Sequence, residues 1–377
     1  MKGGNKQNNS NSLKKLVIDA LIFEDKKAYG YQEYLFNLLN YFYNNIEQIL
    51  FDQIIIACEV SQTLFFEKFS DKFKIVGFRA SGRLKLLIVQ CQLKKKLNLT
   101  ENDVILNTYN YSAFLKQCKT VLVIHDLLYL RPQLLPNLLM RMQRNLLVPL
   151  SIINSDLIIS ISKFTKKDIL ESYAIARKKN IEVIYNYFDF DKYGSYKMGK
   201  SNQMKPFYLS VSSNFPHKNI VTLLKAYELV VQSNSNCPNL VLVGKKGKMD
   251  KICKSFYESL SKEIVEKIHF KENISNAELG YLYSSCECFI LPTLFEGLGM
   301  PIIEAYYFKA HLVLSNLEIC REIVDNNASF FEPLDYNRLS EILLSKEYVY
   351  YSDGLSVLNR YNSSNTSEKY IHALNKL

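Results

Sequence analysis

The sequence lacks three features that would place a chain in a special class of protein. None of its eight cysteines forms a Cys-x-x-Cys pair, which argues against a zinc site. No window approaches the roughly 18 uninterrupted apolar residues that a membrane span needs. Residues 1–12 are polar and rich in asparagine, which predicts a disordered leader and no signal peptide. We therefore expect a cytoplasmic protein whose thiols are buried and reduced.

The composition that remains is that of a globular protein. Hydrophobic residues make up 48% of the chain and charged residues 22%. A length of 377 residues allows about two to three domains, each with its own core. Charge is uneven: residues 1–200 hold 29 Lys and Arg against 18 Asp and Glu, whereas the rest holds 18 against 19. The whole positive excess lies in the N-terminal half.

The densest basic segment, Arg79–Lys96, interleaves six cations with leucine, isoleucine and valine. This is the pattern of a basic amphipathic helix. It predicts either a peripheral contact with an anionic membrane or an ordinary solvated helix face. No nucleic-acid motif accompanies the charge, so we expect no nucleic acid as a partner.

Short apolar runs alternate with helical patterns along the chain, which predicts an α/β protein with parallel sheets. We expect two doubly wound, Rossmann-like domains that face each other across a cleft, followed by a C-terminal helix or pair of helices. The predicted boundaries are residues 13–185 for the first domain, 186–205 for a linker, 206–354 for the second domain and 355–377 for the helical tail. The predicted strands are Leu16–Ile22, Gln53–Cys58, Val104–Asn107, Thr120–His125, Leu157–Ile161, Glu182–Ile184, Phe207–Ser212, Leu240–Val243, Ile268–Phe270, Cys288–Leu291 and His311–Leu314. The predicted helices are Tyr31–Tyr43, Arg83–Leu97, Asn137–Ile153, Lys163–Tyr173, Asn219–Val231 and one that Pro301 opens.

The segment Phe295–Ala305 (FEGLGMPIIEA) is the most informative in the chain. It follows a predicted strand and leads through a glycine loop into the Pro301 helix, where proline is tolerated near the start. Such a junction presents free backbone N–H groups and a positive helix end, which suits an anion. We expect Glu304 in the first turn of the helix, where its carboxylate can accept from ligand hydroxyls.

A second strand-to-helix loop, Ser212–Asn219, carries Lys218 at the start of the next helix. Lysine is a good point charge for a phosphate. Both loops belong to the same end of one predicted parallel sheet, so we expect them to lie side by side. Together they predict a site for a phosphate-bearing ligand, whereas either loop alone would be an ordinary surface loop.

These residues resemble the retaining GT-B glycosyltransferases often called family 4. The spacing of Glu296 and Glu304, with seven residues between them, fits the paired-glutamate signature of that family. Members that resemble mannosyltransferases of surface-polysaccharide assembly also carry Lys-Asn, as at Lys218-Asn219. The other matching segments are Phe207–Val211, Leu240–Gly244, Ser315–Ile323 and Phe330–Asp335 in the second half, and Ile18–Ala20, Val123–Leu127, Ser155–Ser162 and Val183–Asn186 in the first half.

The resemblance implies a donor site for a nucleotide-diphosphate sugar. By that resemblance Lys218 would hold the phosphates, with Ser213 in the same loop, and Glu304 would hold the ribose. Backbone N–H groups of Gly297, Leu298, Gly299 and Met300 would face the pyrophosphate and sugar. Glu296 and His125 would be the catalytic pair, one from each domain, although His125 could instead be an ordinary hydrogen-bonded histidine.

The chain departs from the family pattern in three places. Ser212-Ser213 stands where many members carry Gly-Arg. The first-domain glycine loop, often Gly-Ile-Gly-Arg-Tyr, reads Gly30-Tyr31-Gln32-Glu33-Tyr34, which leaves its contact with the donor open. There is also no tryptophan, though the family often has one in its terminal helix.

The resemblance implies transfer of a hexose-type sugar with retention of configuration, without a metal or other cofactor. The acceptor would be a saccharide, lipid-linked, at the inner face of a bacterial membrane. Asp189-Phe190-Asp191 has the spacing of a metal-binding Asp-x-Asp, but it follows the last strand of the first domain, where the family usually has an aspartate. A nucleotide-sugar epimerase or hydrolase of similar fold, and an inactive nucleotide-sugar-binding scaffold, remain the alternatives.

Overall fold

The computed structural model describes residues 13–23, 30–79, 85–112, 116, 118–135, 137–193, 206–212, 215–244, 250–349 and 355–377. The predicted leader, much of the predicted linker and Ser213 lie outside these residues. No helix in the described ranges is both long and apolar enough to cross a bilayer.

The first domain is built on a seven-stranded parallel sheet with the order β3-β2-β1-β4-β5-β6-β7. Its strands are β1 Lys15–Asp19, β2 Gln53–Glu59, β3 Lys74–Phe78, β4 Val104–Asn107, β5 Lys119–Ile124, β6 Leu157–Ser160 and β7 Asn180–Val183. Its helices are α1 Gly30–Asn44, α2 Thr63–Phe66, α3 Lys85–Leu97, α4 Leu138–Asn154 and α5 Lys163–Ser172.

The second domain repeats the arrangement with a six-stranded parallel sheet of order β10-β9-β8-β11-β12-β13. Its strands are β8 Phe207–Val211, β9 Asn239–Val243, β10 Ile268–Lys271, β11 Cys288–Leu291, β12 Leu312–Ser315 and β13 Ser329–Phe331. Its helices are α6 Ile220–Ser233, α7 Lys251–Ser259, α8 Lys262–Glu266, α9 Asn276–Ser285, α10 Met300–Tyr307, α11 Glu318–Val324 and α12 Tyr336–Ser345.

The central strands are short, apolar and covered on both faces, as parallel strands between helices must be. Every residue of β4 and of β11 is buried. Polar caps then fix where helices begin: the Asn137 side chain accepts from the N–H of Met140 at the start of α4, and Ser162 accepts from Thr165 at the start of α5. The loops that follow the strands are thereby held at the carboxyl ends of both sheets, where ligand sites of such folds lie.

The C-terminal segment, predicted as one helix or a pair, forms two helices, α13 Leu355–Asn359 and α14 Ser363–Asn375. Although they follow the second domain in sequence, α14 packs on α1 of the first domain. The hydroxyls of Tyr34 and Tyr370 lie 2.9 Å apart, and the Asn375 amide donates to the carbonyl of Gln48 at 2.8 Å. The chain therefore crosses back to the domain in which it began.

Most predicted elements are present with ends shifted by one or two residues, but the first strand is shorter than predicted. It ends at Asp19 and not at Ile22, because the Asp19 carboxylate accepts from the N–H of Leu21 at 2.9 Å and turns the chain. The elements that were not predicted are strands β3 and β13 and helices α2, α7, α8, α9, α11 and α12. The seven cysteines whose side chains the structure describes are free, and six of them are buried, as predicted.

Candidate active site

Two loops at the carboxyl end of the second sheet form one wall of the site. The Lys218 loop (residues 215–219) follows β8, and the Glu296 loop (residues 292–299) follows the neighbouring strand β11. Backbone and side chain join them: the N–H of Leu294 donates to the carbonyl of His217 at 2.7 Å, and the Asn219 amide donates to the carbonyl of Pro292 at 2.9 Å. The two loops predicted to lie side by side are therefore hydrogen-bonded to each other.

The Lys218 ammonium lies 2.6 Å from Oε1 of Glu296, and both side chains are largely buried, with 13% and 9% of their surface exposed. His217 sits beside them, and burial together with the charge of Lys218 lowers the pKa of its imidazole to about 4. The histidine is therefore neutral near pH 7. Lys218 is the cation of this wall, and Glu296 is its partner.

Helix α10 begins directly after the Glu296 loop. Gly299 has a φ of +77°, a left-handed conformation that favours glycine, and Met300 is the first helical residue. Leu298, which precedes Gly299, is buried. Because the helix begins at Met300, Glu304 is its fifth residue and not a first-turn residue as predicted.

Glu304 is buried and held by two neighbours. The Tyr283 hydroxyl donates to its Oε2 at 2.6 Å, and the Lys192 ammonium lies 3.5 Å from its Oε1. Burial raises the pKa of the Glu304 carboxyl, and the charge of Lys192 and the Tyr283 hydroxyl partly offset this rise. Lys192 also pairs with Glu33 in α1, so one lysine joins the two domains here.

His125 lies across the cleft, at the end of β5. Its Nε2 is 2.9 Å from the carbonyl of Thr108, and since a carbonyl only accepts, Nε2 carries the hydrogen. Burial lowers the pKa of the imidazole, which favours the neutral form. The His125 ring packs edge-to-face on the ring of Tyr34, with the ring centres 4.8 Å apart. In this tautomer Nδ1 is an acceptor only.

Gly297 brings the two domains into direct contact. A side-chain Cβ added at this position would lie 2.1 Å from the carbonyl oxygen of His125, closer than any substitution could tolerate. The Gly297 carbonyl accepts from the Ser162 hydroxyl at 2.8 Å and from the Thr165 hydroxyl at 3.3 Å. The structure therefore shows a role in domain contact that the sequence did not reveal, whereas the predicted role of the Gly297 N–H stays a prediction.

The altered first-domain loop meets the second domain at the start of α10. Gly30 begins α1, and a Cβ there would lie 3.4 Å from the sulfur of Met300. The Tyr31 hydroxyl is 2.9 Å from the hydroxyl of Thr108, whose carbonyl also binds His125. The predicted residues Gly30, Tyr31 and His125 therefore form one wall, opposite Met300.

Several residues of the site were missed by sequence reasoning. Lys192 and Tyr283 around Glu304 come from the predicted linker and from an unpredicted helix. Phe295, next to Glu296, packs against Phe164 and lies under the Arg131 guanidinium, which is 4.3 Å from the ring centre. No motif marks these residues, because their roles depend on contacts between distant parts of the chain.

The Asp-x-Asp segment has no supporting cluster in the structure. Among the residues that the structure describes, no group of three or more His, Cys, Asp or Glu side chains is arranged to hold a metal ion. Lys192 follows Asp191 directly, and its ammonium reaches Glu304, so this segment contributes a cation to the cleft.

Residues 197–345 match the family of group 1 glycosyl transferases. The chain is 26% identical to the O-antigen chain mannosyltransferase RfbU of Salmonella typhimurium over 261 residues, which are 69% of each chain. It is also 29% identical over 136 residues to the O-antigen chain mannosyltransferase B of Escherichia coli, covering 36% of this chain and 35% of that one.

Solved structures share the whole architecture at low identity. Anabaena Alr3699/HepE, determined in complex with UDP and glucose, matches with a TM-score of 0.69 at 15% identity, over 97% of this chain and all of that one. Sucrose-phosphate synthase from Thermosynechococcus elongatus matches with a TM-score of 0.70 at 15% identity, over 96% and 98% of the two chains. The protein has the GT-B fold and is a glycosyltransferase, and its second domain is similar to the group 1 glycosyl transferases.

Proposed function

We propose that this enzyme transfers a hexose-type sugar from a nucleotide-diphosphate sugar to a saccharide acceptor, with retention of configuration and without a metal. The observation that carries the proposal is the buried pair of Lys218 and Glu296, 2.6 Å apart on two adjoining loops beside a helix start. A buried cation next to free helix N–H groups suits a diphosphate, and a carboxylate beside it suits the hydroxyls of the attached sugar.

The donor would enter by taking over the contact between these two residues. Lys218 would release Glu296 and bind the diphosphate, while Glu296 turns to the sugar that is transferred. Backbone N–H groups of the segment from Gly297 to Met300 would bind the same phosphates, and Ser213 would add a hydroxyl. Glu304, held by Tyr283, would accept from the ribose hydroxyls.

The reaction breaks the bond between the anomeric carbon and the diphosphate oxygen. The acceptor oxygen attacks that carbon from the side of the leaving group, and the acceptor proton passes to the released diphosphate, so configuration is retained. Negative charge grows on the leaving diphosphate in the transition state. Lys218 and the start of α10 stabilise that charge, which is where electrostatic catalysis is most effective.

His125 would contact the transferred sugar from the first domain. Since its Nε2 donates to Thr108, only Nδ1 remains for the ligand, and a neutral Nδ1 accepts from a sugar hydroxyl. The proposed absence of a metal is supported by the cations that the cleft already offers, Lys218 and Lys192. Undiminished transfer after dialysis against EDTA is the expected result, and loss that Mg²⁺ or Mn²⁺ restores would refute this part.

The acceptor is proposed to be a lipid-linked saccharide of a surface polysaccharide. Two relatives bear the names of O-antigen chain mannosyltransferases. A third, from Campylobacter jejuni and 26% identical over 284 residues, is named for transfer of N-acetylgalactosamine to a diphospho-undecaprenol saccharide. Since the named sugars differ, the donor has to be found by experiment.

The decisive experiment screens GDP-mannose and a set of UDP-sugars, first for thermal stabilisation of the purified protein and then for transfer. Glu296→Gln should abolish transfer, whereas Glu258→Gln, an exposed change on α7, should not. Sugar release or conversion without an acceptor would instead indicate a hydrolase or epimerase. Donor binding without any product would indicate an inactive scaffold.

A further inference from the structure

Helix α4 exposes a continuous apolar stripe to solvent. Its members lie on one side of the helix, because Leu138, Met142 and Leu146 are four residues apart and Ile153 follows about two turns later. Each member is between 49% and 63% exposed. They are Leu138, Leu139, Met142, Leu146 and Ile153.

The other side of α4 is also apolar, and it packs in the core of the first domain through Leu147, Val148 and Ile152. A helix on the surface of a soluble protein normally turns a polar face outward. α4 is therefore apolar on two sides, and a contiguous exposed patch of this kind marks an interaction surface.

The charged residues of α4 itself have one sign. No aspartate or glutamate occurs between Asp126 and Asp156, while Arg141 and Arg144 lie on the helix itself. At the C-terminal end, the Lys179 ammonium donates to the carbonyl of Ile153, next to the exposed cations Arg177 and Lys178. An apolar stripe with cationic flanks is complementary to a bilayer surface that contains anionic lipid.

The basic segment that the sequence singled out lacks such a stripe in the part that is described. On α3 the side chains of Val89, Leu93 and Leu97 are buried against the sheet, and Lys94 to Lys96 are exposed. α3 therefore presents charge to solvent, and its described apolar residues serve the core.

α4 also reaches toward the cleft. The Arg144 guanidinium donates to the Tyr109 hydroxyl at 2.7 Å, and the ring of Tyr109 lies 6.4 Å from that of His125. The helix that carries the stripe is thus two side chains away from the wall of the site that would face the acceptor.

We propose that α4 docks this enzyme on an anionic membrane by inserting the stripe among lipid chains while Arg177 and Lys178 contact the headgroups. This proposal rests on the proposed function in one respect only: docking would hold the cleft next to a lipid-linked acceptor. Membrane binding itself needs neither donor nor acceptor.

The test is flotation of the full-length protein with vesicles of phosphatidylcholine, with and without phosphatidylglycerol. The wild type should float with the anionic vesicles, and the triple variant Leu138→Ser, Met142→Ser, Leu146→Ser should lose about tenfold or more of this binding. Leu64→Ser and Ile252→Ser are the matched controls, because both side chains are more than 70% exposed outside the stripe, and they should float like the wild type. Arg177→Gln with Lys178→Gln should weaken binding and flatten its dependence on salt.

Thermal stabilisation by nucleotide sugar, measured without vesicles, separates this proposal from the function. It should be equal in the wild type and the triple variant, which also shows that the variant is folded. Wild-type flotation by the triple variant, or no flotation of the wild type, would overturn the proposal. Loss of flotation when only Lys94, Lys95 and Lys96 are replaced would overturn it too and assign the docking surface to α3. A wild type that is a dimer and a triple variant that is a monomer would instead assign the stripe to an interface between two copies of the chain.

Discussion

The ammonium of Lys218 and the carboxylate of Glu296 lie 2.6 Å apart in the cleft, and each side chain is the charge partner of the other. Removing one member leaves the other as a buried, unpaired charge, which is more costly than removing both. Lys218→Met should therefore lower the free energy of unfolding by about 2 to 4 kcal/mol, and the double variant with Glu296→Gln should recover much of that loss. Urea unfolding of the four proteins in the cycle measures this.

Sugar transfer should not recover in the double variant, although its stability should. Both single variants and the double variant should lose about 100-fold or more in kcat, because each removes a group that acts on the growing charge or on the sugar. Lys254→Met, at an exposed position on α7, is the control. Purely additive losses of stability would show that the two charges do not depend on each other.

Gly297→Ala should force the two domains apart, since the new Cβ would lie 2.1 Å from the His125 carbonyl. We expect a larger radius of gyration in solution scattering and a kcat lowered by about tenfold or more, as displacement by an ångström is costly in such sites. Gly30→Ala is the structural comparison, because its Cβ would meet the Met300 sulfur at an ordinary 3.4 Å and should leave the radius of gyration unchanged. Equal radii for both variants would contradict the prediction.

Donor affinity should fall in mild acid because of Glu304. Burial raises the pKa of this carboxyl, so it takes up a proton at a pH where an exposed glutamate is still ionised. The protonated acid loses acceptor capacity toward ribose hydroxyls, and the dissociation constant of the donor should rise as pH falls through the raised pKa. Lys192→Met removes the cation that opposes the shift and should move this fall to higher pH, whereas Lys192→Arg should not.

Isothermal titration calorimetry of donor binding, at several pH values between about 5 and 8, measures the dissociation constant and checks this. Tyr193 and Glu33 also face Glu304. Glu304→Gln should bind the donor more weakly and with a flatter pH dependence. An unchanged pH profile in Lys192→Met would refute the assignment.

Asp19 should make the protein more stable in mild acid than at neutral pH. Burial raises the pKa of its carboxyl to about 6, so the folded state keeps a proton that the unfolded chain has released. The free energy of unfolding that this group contributes therefore falls as pH rises from about 4 to 6 and is constant above. Asp19→Asn should raise stability at pH 7.5 by up to about 3 kcal/mol and by little at pH 4. Urea unfolding at the two pH values measures the difference, and an equal effect at both would contradict it.

The sequence predicted the site better where one short segment carries the geometry than where distant segments meet. The Glu296 loop and the Lys218 loop were correctly predicted to lie side by side, because in each case a strand, a short loop and a helix follow each other directly. Strand β3 was missed because Lys74 and Gly77 interrupt its apolar run, and β13 because it has only three residues. The contact of Lys192 with Glu304 joins residues 112 positions apart, and no local pattern encodes such a pair.

The return of α14 to the first domain determines how the polypeptide can be divided. A fragment cut at the end of β7 would expose the face of α1 that Tyr370 covers and would leave Tyr34, which supports the His125 ring, without its hydroxyl partner. The first domain is thus built from two separate segments of the polypeptide. Expression of the N-terminal half alone would therefore disturb the wall that carries His125.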